Sequence, residues 1–173
     1  MGYQRKNITY QTLDDVGPSN QRKAAVESYA EQVAKFFDFG IGEDLKQLVD
    51  AIGGRIHIDE LPDEDESGSI FIHDEFDFDI VLPDYTSPLR DRFTISHELG
   101  HYFLHSKQGE VSLVAYRRGS GRCEWEANWF AAALLMPRKR FKREYKRNAD
   151  TVHLASVFQV SRDAAEVRKQ LFE

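Results

Sequence analysis

The chain has 173 residues, 41% of them hydrophobic and 12% aromatic, which suits one domain with a real core and argues against overall disorder. Its one cysteine, Cys123, excludes an internal disulfide and any cysteine-rich metal site, and points to a reducing, cytoplasmic setting. The net charge of −6 is unevenly spread. Residues 1–100 carry 9 basic and 21 acidic side chains and residues 101–173 carry 14 and 8, a polarity that either steers a partner or marks two solvated faces.

Residues 1–19 are polar, end in Gly17-Pro18-Ser19 and read as a loose, flexible extension without the apolar stretch of a signal peptide. From Asn20, read as an N-cap, Val26, Tyr29, Ala30, Val33, Phe36 and Phe37 keep helical spacing. Leu45, Leu48, Val49 and Ile52 line a second helix that Gly53-Gly54 stops. Arg55-Ile56-His57-Ile58 alternates like a strand, and the acidic residues 59–66 form a loop. Residues 68–72 and 76–82 read as two more strands joined near His73-Asp74-Glu75, which together make a short antiparallel sheet. A loop over 84–88 leads into a helix that begins at Leu89 or Arg90. Another helix covers 122–136, with Trp125, Trp129, Phe130, Ala133 and Leu134 on its apolar face and Pro137 as its stop. Residues 138–147 hold seven basic side chains and one acid, and 151–173 reads as helix, short turn at Gln159-Val160-Ser161, helix. No apolar run approaches the roughly 20 residues that span a bilayer.

Within the helix that follows residue 88 stands His97-Glu98-Leu99-Gly100-His101. Positions i and i+4 of a helix share a face, so both imidazoles can reach one metal ion, with a glutamate beside them to handle protons. Catalytic zinc commonly takes three protein ligands and leaves one position for water. The extended motif that supplies a third histidine needs Gly at 104 and His at 107, where this chain has Leu104 and Lys107. The other source is a carboxylate from the 122–136 helix, Glu124 or Glu126. These point about 200° apart, so only one can face the ion, and helix phase does not choose between them. His105 lies about 12 Å of helical rise from His97, too far to share the same ion comfortably, and is expected to support the site through a hydrogen bond. His57, His73 and His153 read as structural histidines, and Cys123 as a small packing residue.

Three blocks resemble the ImmA/IrrE family of zinc metallo-endopeptidases, compact gluzincins. They are Arg90-Asp91-Arg92-Phe93-Thr94 leading into His97 to His105, then Glu124-Trp125-Glu126-Ala127-Asn128-Trp129-Phe130-Ala131 followed by Leu134-Leu135-Met136-Pro137, and more weakly residues 154–164. The resemblance implies an α+β, mainly helical fold, with the small antiparallel sheet packed on the motif helix in a minimal zincin-like arrangement. It places the metallopeptidase domain at 20–137 and a basic linker with a helix-turn-helix-like module at 138–173. It implies one Zn2+ per chain, held by His97, His101 and Glu124, with Glu98 as general base, Asn128 orienting a ligand histidine and Glu126 as second choice of ligand. Tyr102, Tyr116 and His105 are the candidates for stabilising the oxyanion. Residues 68–72 are either an edge strand that pairs with a peptide or an ordinary inner strand. The implied substrate is a helix-turn-helix repressor whose cleavage switches phage, mobile-element or stress genes, with no membrane partner. The alternative is a nucleic-acid-binding or protein-interaction regulator with a structural or vestigial zinc, which the basic run and the tail favour. Its candidate base readers are Arg162, Arg168, Lys169 and Gln170.

Overall fold

A computed structural model describes residues 2–60, 68–116 and 121–173; the acidic loop expected at 59–66 falls, from residue 61 onward, outside them. In chain order the elements are α1 (Leu13–Val16), α2 (Lys23–Phe36), α3 (Leu45–Ile52), β1 (Gly54–Asp59), β2 (Ser69–Asp74), β3 (Asp77–Pro83), α4 (Pro88–Gly100), a π-helical turn (His101–His105), β4 (Leu113–Tyr116), α5 (Arg122–Leu135), α6 (Arg138–Arg147), α7 (Thr151–Phe158) and α8 (Arg162–Lys169). This is the α+β, mainly helical architecture expected, and it ends in the helix–turn–helix pair α7–α8.

The sheet order is β1-β3-β2-β4. β2 and β3 form the expected antiparallel hairpin, its turn at Glu75 and Phe76, one residue later than the sequence suggests. β1, however, runs parallel to β3, so the sheet is mixed. Gly53 makes this entry possible: it ends α3 in the left-handed region (φ 111°), where a Cβ would lie 2.2 Å from the Phe76 carbonyl oxygen. β4 pairs antiparallel with β2, which makes β2 an inner strand and settles the alternative left open above. β4 was not anticipated, because four consecutive apolar or aromatic residues carry no alternation.

Side-chain alternation gives the sheet two apolar faces. Ile70, Ile72, Phe78, Ile80, Leu82 and Leu113 join the helices in the main core, while Phe71, Val81 and Val114 form a second cluster opposite. An apolar second face needs a cover. Residues 2–19 supply it: the Tyr3 ring packs against His57 and Phe71, the Tyr10 hydroxyl lies 2.6 Å from His73 Nδ1, and Gln11 pairs with the backbone around Leu113. The expected loose extension is therefore a docked segment. Asn20 is not an N-cap; it adopts φ 60°, and α2 starts only after Arg22.

Two helices turn differently from their sequence reading. At the end of α2, Phe36 is 81% exposed, and it is Phe37, the C-cap, that packs on the core. In α5, which lies between α2 and α4, the inward residues include Glu124, Glu126, Ala127 and Phe130, and Trp125 is half exposed. α4 begins at Pro88 behind an N-cap by Ser87, slightly earlier than expected. The basic run expected as a linker is the helix α6, anchored in the core by Phe141, while its buried Glu144 pairs with Arg140 and Arg147 of the same helix. Arg168 on α8 is buried: Nε and Nη2 donate to the Met136 carbonyl at 3.1 and 2.9 Å, and Nη1 pairs with Glu27 of α2. No helix among the described residues is long and apolar enough to cross a membrane.

Beneath the N-terminal cover, Asp79 is buried and accepts hydrogen bonds from Arg55 Nε at 2.6 Å, His57 Nε2 at 2.8 Å and His73 Nε2 at 2.7 Å. Burial pushes its carboxyl up, but these donors and the Arg55 charge outweigh burial and hold it well below the usual carboxylate range. A depressed folded-state value stabilises the protein above the unfolded value, about 3.9, and that contribution fades as pH falls below it. Asp79→Asn should thus cost about 1–3 kcal/mol near neutral pH and flatten the acid-side loss of stability. Urea unfolding at about pH 7 and about pH 3.5 checks both.

Candidate metal centre

The site exists because α4 and α5 touch backbone to backbone. A Cβ on Gly100 would lie 2.9 Å from Ala127 Cα and 3.2 Å from its oxygen, so only glycine opposite a small residue permits the approach. One turn before Ala127, Glu124 then reaches His97 on α4 and His101 at the start of the π-helical turn that continues it, which share one face. Glu124 Oε2 lies 3.0 Å from His97 Nε2, Oε1 lies 3.1 Å from His101 Nε2, and the two Nε2 atoms are 3.1 Å apart. All three residues are buried, and the group could hold a metal ion.

The outward nitrogens are committed elsewhere. His97 Nδ1 donates to Asn128 Oδ1 at 2.7 Å, and His101 Nδ1 lies 2.9 Å from His105 Nδ1. Burial raises the Glu124 carboxyl, but the two imidazoles outweigh burial and hold it at about 2, so it stands as a carboxylate. Two imidazole nitrogens and a carboxylate closing on one point call for a cation there, either protons on the rings or a metal ion. The donor set of two nitrogens and one carboxylate matches catalytic metal sites that keep a position for water.

Glu98, the next residue after His97, is fully buried. Gly68 passes close to it with φ 153°: a Cβ there would sit 2.6 Å from Thr94 Cγ2 and 3.6 Å from Glu98 Oε1. Glu126 is turned away from the histidine pair. Its Oε1 accepts from the Ser19 amide and His105 Nε2, and its Oε2 from the Asn20 amide and Arg122 Nε, all at 2.9–3.1 Å. His105 is thus a hydrogen-bonding neighbour of the centre; burial, and next the adjacent His101, lower its pKa to about 4. Tyr102 does not face the site. Its ring packs on Phe78, and its hydroxyl accepts the Phe76 amide at 3.2 Å. Tyr116, at the end of β4, is half exposed and shares with Glu124, Cys123, Thr12 and Leu13 a cleft of about 560 Å3. The Cys123 thiol is pushed up to about 11, first by burial and then by Glu126 and Glu124, and remains a protonated packing group. His57 and His73 belong to the Asp79 network, and His153 lies on α7. Sequence reasoning missed the Ser19 and Asn20 amides, for which no signal exists, since any residue but proline offers one.

A family model for IrrE N-terminal-like domains, Peptidase M78, matches residues 49–169. A search of the curated proteins finds no match. Among solved structures, a Mycobacterium tuberculosis transcriptional regulator shares the fold with a TM-score of 0.60 at 16% identity, over 85% of this chain. The match takes in 46% of that chain, so this protein spans under half of its length.

Purified protein should bind about one divalent ion per chain. Glu124→Ala should abolish that binding, whereas Glu126→Gln should keep the stoichiometry at saturating metal. Gly100→Ala should separate the helices, costing about 1–3 kcal/mol of stability and weakening the metal. Metal analysis and thermal unfolding of the three variants read these outcomes.

Proposed function

This chain belongs to the Peptidase M78 family of IrrE N-terminal-like domains, and from that membership we propose that it is a cytoplasmic zinc endopeptidase cutting a helix-turn-helix repressor, and so switching phage, mobile-element or stress genes. The observation that carries the reading is the buried group of His97, His101 and Glu124 with Glu98 as the next residue on the same helix. A family of peptidases and a site equipped with a potential base support hydrolysis over a purely structural role. A place in gene control is in keeping with the similar solved chain being a transcriptional regulator.

In this reading His97, His101 and Glu124 hold the zinc, with Asn128 and His105 fixing the two rings. Bound zinc supplies a Lewis acid that polarises the scissile carbonyl and acidifies a water. The Glu98 carboxylate accepts the proton of the attacking water and delivers it to the leaving amine nitrogen. The approach to Glu124 is the cleft beside β4, an edge strand whose first half Gln11 already pairs, which leaves its Tyr116 end for an extended peptide. Tyr116 is the remaining tyrosine at that cleft able to meet a developing oxyanion. The nucleic-acid reading loses one of its base readers, since Arg168 is spent on Met136 and Glu27.

Zinc-loaded protein mixed with a helix-turn-helix repressor encoded beside it should shorten that repressor, as seen on a gel and by mass spectrometry. Glu98→Gln should bind zinc like the parent and cut at least ~100-fold more slowly. Undiminished cutting by that variant would refute the assignment of the base.

A further inference from the structure

The polar groups behind the metal centre form one continuous chain. Glu126 is fully buried and meets four groups: the Ser19 and Asn20 amides, Arg122 Nε and His105 Nε2. The first three can only donate, so Glu126 is the acceptor throughout, and His105 must present Nε2–H to it. A neutral imidazole that donates through Nε2 accepts through Nδ1. His105 Nδ1 faces His101 Nδ1 at 2.9 Å, so His101 donates there. His101 Nε2 is then left as a lone pair, pointing to Glu124 and His97.

We propose that Glu126 and His105 are positioning residues that fix the tautomer and orientation of His101, and that the Ser19 and Asn20 amides lock this relay from outside the family-matched region. Two details show why the pieces sit as they do. The π-helical turn over His101–His105, with the Ser106 amide bonded to the His101 carbonyl at 3.0 Å, brings the two rings together across one turn, tilted by 46° with centroids 5.0 Å apart. Asn20 takes φ 60°, which turns the chain toward α2 directly after its amide has met Oε2, a conformation that asparagine tolerates better than most residues. The relay gives His101 the outer partner that Asn128 gives His97, but through a histidine and a carboxylate in series.

This inference rests on the proposed metal role of His101 but not on catalysis, and both of its readouts are independent of peptide cleavage. The first is nitrogen-15 NMR of the side chains in metal-free wild-type protein near neutral pH. His105 is expected with its proton on Nε2, and a proton on Nδ1 overturns the relay. The second is zinc affinity by competition with a chelator. His105→Leu should weaken zinc about 10–100-fold, and His105→Asn, whose amide oxygen takes the place of Nδ1, should restore most of the loss. In the full-length chain, Ser19→Pro, which removes one of the two amides, should weaken zinc in the same direction, and affinity unchanged there overturns the part given to the N-terminal amides. Zinc affinity unchanged in His105→Leu overturns the proposal. A protein that shows the expected tautomer and affinities yet cuts no repressor leaves it standing while removing the proposed substrate.

Discussion

The contact of Gly100 with Ala127 is the gauge from which the rest of the site is measured. Helix axes ordinarily pack 8–10 Å apart with side chains between them. Here a glycine and an alanine bring the two backbones together, so that a glutamate side chain can span from α5 to the imidazoles of His97 on α4 and His101 just past its end. A larger residue at either position would move the carboxylate out of reach before disturbing any ligand directly. The same sandwich makes α5 buried on two sides, which is why its glutamates point inward and Trp125 is left half in solvent.

Around that gauge the fold buries an unusual set of charged and polar groups: His97, Glu98, His101, His105, Glu124 and Glu126 all sit within the core. Such burial is tolerable only when partners are supplied, because an unmatched buried charge costs several kcal/mol. Glu126 has four donors and Asp79, on the far face of the sheet, has three. The three groups that converge on the centre have instead one another at close range. The clusters around Glu126 and Asp79 are closed by their donors, whereas this one is arranged around a point.

Much of this was legible in the sequence where a pattern has a period. The long helices, the β2–β3 hairpin and the pair of histidines one turn apart each follow from spacing alone. Glu124 did not follow from spacing, since it and Glu126 lie on opposite sides of one helix and both turned out to face protein. Family resemblance pointed to Glu124, and the structure brings that residue to the histidines. Hidden from sequence were features that depend on the assembled fold: β4, the parallel entry of β1, and the role of residues 2–19 as cover for the second sheet face. Phe36 and Phe37 show the same limit in miniature, as adjacent phenylalanines cannot both face the core.

Order of synthesis gives the N-terminal cover a further meaning. Ser19 and Asn20 leave the ribosome more than a hundred residues before the carboxylate they bind, as the 107- and 106-residue separations of those bonds require. The strands that Tyr3, Tyr10 and Gln11 overlie, and the Arg122 that shares Glu126, also come later. The Ser19 and Asn20 amides must therefore wait for α5 before they meet Glu126. Contacts of such long range close late and slowly, so the support behind the centre closes only once α5 has been made, and a chain that stops short of it has no finished site.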